Sequence, residues 1–219
     1  MADAPGWIAT QLAGRGIRDE RVLAAMARVP RERFLPDELR PHAYDDRALP
    51  LAHGQTISQP YVVAFMCQAL ALAGAERVLD VGTGSGYAAA VLAKLASKVF
   101  SIERYAELVS TARQNLSRAG IANVDVFEGD GSLGLPQHAP FNAILVAAGA
   151  PAPPPPLQAQ LAEGGRLVIP VQADGYQDLL VLTREGDKFS EKNLGPVQFV
   201  PLVGSQGFRD PRGRNGAMG

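Results

Sequence analysis

Apolar residues fall three and four apart along Val22, Leu23, Met26 and Val29, which marks one face of a helix, and Asp19 stands where it can cap the first turn. Pro30 and Pro36 limit that pattern. A second helical stretch covers residues 60–73, with Pro60 suited to its first turn. The rest of residues 1–50 reads as short helices and turns. From residue 77 the rhythm changes. Short apolar runs at Arg77–Val81, Lys98–Ile102, Val124–Phe127, Ala143–Ala147 and Gly165–Val171 alternate with helical stretches at Tyr87–Leu95, Ala106–Ala119 and Leu157–Ala162. Such alternation predicts an α/β fold: a doubly wound, mostly parallel sheet covered on both faces. Asp178–Leu182 and Val197–Val203 are strand-like with no helix between them, which predicts an antiparallel edge. The run Pro153–Pro156 reads as a stiff loop whose Pro156 starts the next helix.

These patterns divide the chain into an N-terminal helical segment over 1–74, an α/β domain over 75–208 and a polar, glycine-bearing tail over 209–219 that is expected to be mobile. The length of 219 residues suits one domain with a small appendage. A net charge of −1 creates no long-range field to draw in nucleic acid or an acidic membrane, so neither is an expected partner. No apolar stretch reaches the length of a membrane span. Met1 to Pro5 lacks a basic segment followed by an apolar one, and a cytoplasmic monomer is expected. The single cysteine, Cys67, excludes an internal disulfide. It lies inside an apolar helical run and reads as a buried small hydrophobe rather than a nucleophile.

The chemistry is most legible at Val78-Leu79-Asp80-Val81-Gly82-Thr83-Gly84-Ser85-Gly86-Tyr87: an apolar strand, a glycine turn, then a helix. Glycine permits positive φ and lets a ligand approach the backbone. A loop at the carboxyl end of the first sheet strand is where open α/β sheets bind ligands. The dinucleotide fingerprint G-x-G-x-x-G seats a pyrophosphate, whereas Gly82, Gly84 and Gly86 form the shorter G-x-G-x-G and follow an aspartate. Asp80 would repel a pyrophosphate and attract a cationic amino-acid group. Glu103, at the end of the second strand, can accept hydrogen bonds from both ribose hydroxyls. Asp130, after the third strand in Gly129-Asp130-Gly131, can receive an adenine amino group. Three acids after three successive strands favour a ribose–adenine ligand that carries positive charge and no phosphates: S-adenosylmethionine. No metal site is expected.

The segment from Val78 through Glu103 to Gly131 resembles a class I, Rossmann-like methyltransferase. Further segments narrow the resemblance to the protein-L-isoaspartate O-methyltransferase family: Val29-Pro30-Arg31-Glu32-Arg33-Phe34, Ala43-Tyr44, Gly54-Gln55-Thr56-Ile57-Ser58-Gln59-Pro60-Tyr61, Pro140-Phe141-Asn142-Ala143-Ile144, Gly164 to Val171, and Phe199-Val200-Pro201-Leu202-Val203. The likeness spans about residues 17–208, and Thr-Ile-Ser-x-Pro is its specific part. It implies a protein-repair enzyme that methylates the carboxylate of isoaspartyl residues in damaged peptides and proteins. By the same resemblance Thr56 and Ile57 line the cofactor and substrate pocket and Ser58 is the active-site residue. Asp80, Gly82, Gly84, Gly86, Glu103, Asp130 and Gly131 hold the cofactor, and Pro201-Leu202-Val203 helps bind the substrate main chain. Asn142 stands where the family usually has aspartate.

A carboxyl of pKa about 4 is only about one part in a thousand protonated at neutral pH, so its methylation needs no general base. Of the three histidines, His42, His53 and His138, only His53 lies near the Thr-Ile-Ser segment, and it reads as a loop or packing residue. Ser58 is a suitable positioning donor, with capping of the following helix as its structural alternative. Three rival readings stay open: a non-catalytic relative that binds S-adenosylmethionine, a methyltransferase for another carboxylate, a small molecule or RNA, and, more distantly, an NAD oxidoreductase.

Overall fold

A computed structural model describes residues 6–210. The tail beyond Asp210 and the segment Met1 to Pro5 lie outside the described residues. The core is a seven-stranded sheet in the order β5-β4-β3-β6-β7-β8-β9. Its strands are β3 (Arg77–Val81), β4 (Lys98–Glu103), β5 (Val124–Glu128), β6 (Phe141–Val146), β7 (Leu161–Gln172), β8 (Gln177–Glu185) and β9 (Lys188–Val197). The first five pair in parallel; β8 and β9 add on antiparallel. The chain steps outward from β3 to β4 to β5, then crosses back to place β6 on the other side of β3. That reversal opens a crevice beyond the carboxyl ends of β3 and β6.

Strand residues alternate between two apolar layers. Val78, Val99, Ala143, Leu145 and Val168 face one layer, and Leu79, Val81, Phe100, Ile144 and Leu167 face the other. The first layer is closed by α1 (Glu20–Arg28), α2 (Pro60–Leu70), α3 (Tyr87–Leu92) and α4 (Ala106–Arg118), which contribute Met26, Met66, Val91 and Leu116. Ile8 and Leu12 of the N-terminal segment belong to the same layer. The second layer is covered by short 3₁₀ turns and α5 (Pro155–Ala159), through Leu135 and Leu157. Asp19 caps α1 by accepting from the Arg21 and Val22 amides. Cys67 is buried and its thiol is pushed well above its usual range by desolvation.

The antiparallel edge is present, but its last strand is not the expected one. β9 is polar Lys188–Val197, joined to β8 by a turn at Gly186 with φ of 63°. Of the stretch expected as a strand over Val197–Val203, Val197 ends β9 paired with Gln177, and residues 198–203 are mostly irregular, with isolated bridges from Pro201 to Gly149 and from Val203 to Phe208. An edge strand with one face in water needs no apolar run, and its hydrophobic signal is therefore weak. The helix expected over Leu157–Ala162 stops at Ala159, with Pro155 and Pro156 in its first turn. Leu161 is already in β7, paired with Phe141. A small antiparallel pair, β1 (Leu49–Pro50) with β2 (Thr56–Ile57), has no counterpart in the sequence reading.

Candidate active site

The crevice has two walls. One is the glycine loop after β3 together with the end of β4. Gly82 and Thr83 amides both donate to the Ile102 carbonyl, at 2.9 and 3.3 Å, which folds the loop over β4. Gly82, Gly84 and Gly86 all take positive φ, at 94°, 54° and 89°, and this explains three glycines in five residues. The other wall is the strap Leu49–Ser58, whose β1–β2 pairing presents Thr56, Ile57 and Ser58. Arg31 fastens it. Its side chain is 0% exposed and donates to the carbonyls of Ala43, Arg47 (3.4 Å) and Ser58 (3.0 Å).

Glu103 is 6% exposed and lines the crevice. One oxygen accepts from the Gly84 amide at 3.0 Å, the other from the amides of Arg104 and Tyr105 at 2.8 and 3.1 Å. Asp80 is 0% exposed beneath the loop. Ser101 Oγ donates to its Oδ2 at 2.6 Å, and Thr83 Oγ1 lies 2.5 Å from Ser101 Oγ. Ser101 has one proton, which goes to the carboxylate, so Thr83 is the donor to Ser101. The other Asp80 oxygen, Oδ1, is buried with no hydrogen-bond partner among the described residues. Burial raises the Asp80 carboxyl from 3.8 to about 6; the Ser101 bond opposes that rise, and nearby Glu103 adds to it.

Seven of the ten expected site residues line the crevice: Thr56, Ile57, Ser58, Gly82, Gly84, Glu103 and Gly131. A Cβ at Gly131 would come within 2.6 Å of Val81 Cγ1, so any side chain there would force the wall apart. Three residues do not line it. Asp80 acts from beneath. Gly86 is the N-cap of α3, packed near Leu116 and Ala112. Asp130 lies just outside the lining, beside Gly131. Its oxygens accept from the amide and hydroxyl of Ser132 and from the amide and hydroxyl of Ser205, which hold it below its usual pKa against the opposing effect of burial. Asp130 thus ties the C-terminal segment to the sheet.

Ser58 is half-buried, and it does not cap α2: the N-cap is Gln59, with no side-chain cap bond. His53 is a packing residue here, 2.8 Å from Glu107 and stacked on Tyr105 at 4.6 Å between centroids. Asn142 sits at the opposite end of the sheet from the crevice, where its Oδ1 accepts the Arg77 amide at 2.9 Å. An aspartate would accept the same bond, so the departure leaves the site untouched. The sequence reading missed several lining residues. Tyr87 and Arg104 adjoin residues it did single out, whereas Ala147 and Ala148 follow β6 with no polar signal at all. Pro201, Leu202 and Val203 close the crevice from the C-terminal side, held by two bonds between Gly149 and the Val200 carbonyl and Leu202 amide.

The family model for protein-L-isoaspartate(D-aspartate) O-methyltransferase matches residues 7–207. The chain belongs to this family. Proteins named protein-L-isoaspartate O-methyltransferase 2 from Marinobacter nauticus and Pelobacter propionicus are 59% and 56% identical to it. They are matched over 90% and 92% of this chain and 91% and 90% of theirs. A solved protein-L-isoaspartate O-methyltransferase superposes with a TM-score of 0.83 at 28% identity, over 91% of this chain and 66% of that longer one. A Plasmodium falciparum structure assigned to the same activity, in complex with S-adenosyl-L-homocysteine, gives 0.81 at 28% identity over 93% and 99%. The parallel sheet with its antiparallel edge is thus the class I methyltransferase fold of isoaspartyl methyltransferases. Among the described residues no helix is long and apolar enough to cross a membrane.

Proposed function

We propose that this chain transfers a methyl group from S-adenosylmethionine to the free carboxylate of isoaspartyl residues in peptides and proteins, with the crevice between Ser58 and Glu103 as its active site. The observation that carries the reading is the meeting of the Thr56–Ser58 strap with the glycine loop and Glu103 at the sheet's switch point. The residues fit the cofactor. Glu103 offers an anionic acceptor for ribose hydroxyls, Asp80 places a negative charge under the loop, and Gly131 brings its backbone against Val81 in the crevice wall. When bound, S-adenosylmethionine supplies an electrophilic methyl on a positively charged sulfur.

The chain's own part is orientation rather than proton transfer. The substrate carboxylate arrives ionised, so no residue need remove a proton. Ser58 donates a hydrogen bond to one carboxylate oxygen and leaves the second free to attack. Arg31, through the Ser58 carbonyl, fixes where that donor stands. Pro201 to Val203 and the strap bury the reacting groups away from water. The enzyme works as a cytoplasmic monomer on damaged proteins, without nucleic acid or membrane. Incubation with methyl-labelled cofactor and an aged protein should produce a base-labile methyl ester; cofactor binding without any ester would favour the non-catalytic alternative.

A further inference from the structure

A groove runs outward from the crevice. Thr56, Ser58 and Val200 line both, so Ser58 stands at the junction. The groove encloses about 610 Å³, within the roughly 300–1,000 Å³ of ligand pockets. One wall is the outer face of α2. That helix buries Val63, Ala64, Met66, Cys67 and Leu70 in the core, yet Tyr61, Val62 and Phe65 on its other side are apolar too. The Tyr61 and Phe65 rings are one helical turn apart and stack at 5.8 Å and 10°. Leu194, Val197 and Phe199 form the facing wall. These six side chains are only half-buried, so apolar surface lines the groove from both sides. Among the described residues, Arg15 is the only charged one lining it. Its guanidinium sits over the Tyr61 ring at 3.8 Å and pairs with Asp46 at 2.5 Å.

We infer that this groove is a specificity subsite that receives the side chain of one residue flanking the isoaspartate, and that it favours an aromatic or branched apolar side chain there. The inference rests on the proposed function, because Ser58 places the reacting carboxylate. From that point a peptide can lead into the groove on one side only, so the preference is one-sided. An apolar side chain covers Phe65, Tyr61 and Leu194 and gains by leaving water. A lysine or arginine would bring a second cation to Arg15, whose carboxylate partner is already engaged.

The test uses the full chain with two series of short isoaspartyl peptides in a glycine–serine background. One series varies the residue before the isoaspartate and the other the residue after it, among glycine, leucine, phenylalanine and lysine. On one side, leucine and phenylalanine should exceed glycine by about tenfold in kcat/KM, carried mainly by KM, with lysine below glycine. The other side should be flat. Phe65→Ala should reduce the phenylalanine-to-glycine ratio to about threefold or less. Leu194→Ser, on the edge strand β9 rather than on a core helix, should do so independently if the first variant does not fold. Ratios within twofold on both sides, or a preference unchanged in the folded variants, would overturn the subsite. Failure to methylate any isoaspartyl peptide would instead overturn the functional reading and the subsite with it.

Discussion

Replacing Arg31 with methionine tests how the active-site strap is held. The guanidinium is wholly buried, and among the described residues no carboxylate pairs with it; its hydrogen bonds go to the carbonyls of Ala43, Arg47 and Ser58, with the Tyr87 ring 5.8 Å away. Desolvation holds its pKa below the usual arginine range, and among the described residues Nε has no hydrogen-bond partner. Arg31→Met keeps the apolar stem and strands those carbonyls. The Arg47 bond, at 3.4 Å, is the weakest and counts for little. Two buried carbonyls without donors cost about 1–3 kcal/mol each. Removing a buried charge recovers part of this, since burying an ion costs several kcal/mol. The net expectation is a loss of about 2–4 kcal/mol. For a chain of this size each kcal/mol is worth about 2–4 °C, so Tm should fall by about 5–15 °C. Urea melts at constant m would confirm that stability, not compactness, has changed. Arg31→Lys should fall between the two, because an ammonium lacks the planar fork that reaches several carbonyls. Turnover per folded molecule should also drop, as the Ser58 backbone loses its anchor. An unchanged or higher Tm in Arg31→Met would refute the reasoning, because the carbonyls would then be satisfied without arginine.

Three further outcomes are expected. Ser58→Ala should lower kcat/KM on an isoaspartyl peptide about ten- to hundredfold, the loss of one charge-assisted bond, with Tm and cofactor affinity nearly unchanged; full specific activity would remove Ser58 from the catalytic role. Glu103→Gln keeps the shape, loses the charge and one acceptor, and should weaken cofactor binding by about 1.5–3 kcal/mol by calorimetry, an effect that unchanged affinity would exclude. Asp80 has a folded pKa of about 6 against 3.8 for the free group, so the folded chain binds the extra proton and loses stability as pH rises between those values. Asp80→Asn should therefore gain on wild type by up to about 3 kcal/mol between pH 4 and pH 7 in urea melts, and a gap that stays flat with pH would contradict the assignment.

What was legible in the sequence follows from local chemistry. The glycine loop and the acids ending β3 and β4 are local signals, because strand, turn and helix are contiguous and each glycine answers to its own φ. The register of β1 with β2, which presents Thr56 and Ser58, is set by a pairing only two residues long and leaves no periodic trace. β9 escaped because Lys188, Glu191 and Lys192 are exposed on a sheet edge, where charge guards against further pairing and masks the apolar alternation. The bond between Asp130 and Ser205 left no trace in the sequence because the two are 75 residues apart. The end of α5 was misplaced for a similar reason: Gln160 reaches back to the Leu133 carbonyl and the Leu135 amide, and the next residue enters the sheet.

The most direct test of the central claim is a comparison of two synthetic peptides identical except that one carries an L-isoaspartyl residue where the other carries L-aspartyl. With saturating S-adenosylmethionine and limiting peptide, methyl ester formation followed by mass spectrometry gives kcat/KM for each. The account predicts ester on the isoaspartyl peptide alone, at least a hundredfold above its aspartyl twin, because Ser58 and the Pro201–Val203 segment must hold the displaced main chain as well as the carboxylate. Equal methylation of both peptides, or of neither while the cofactor binds, would contradict it.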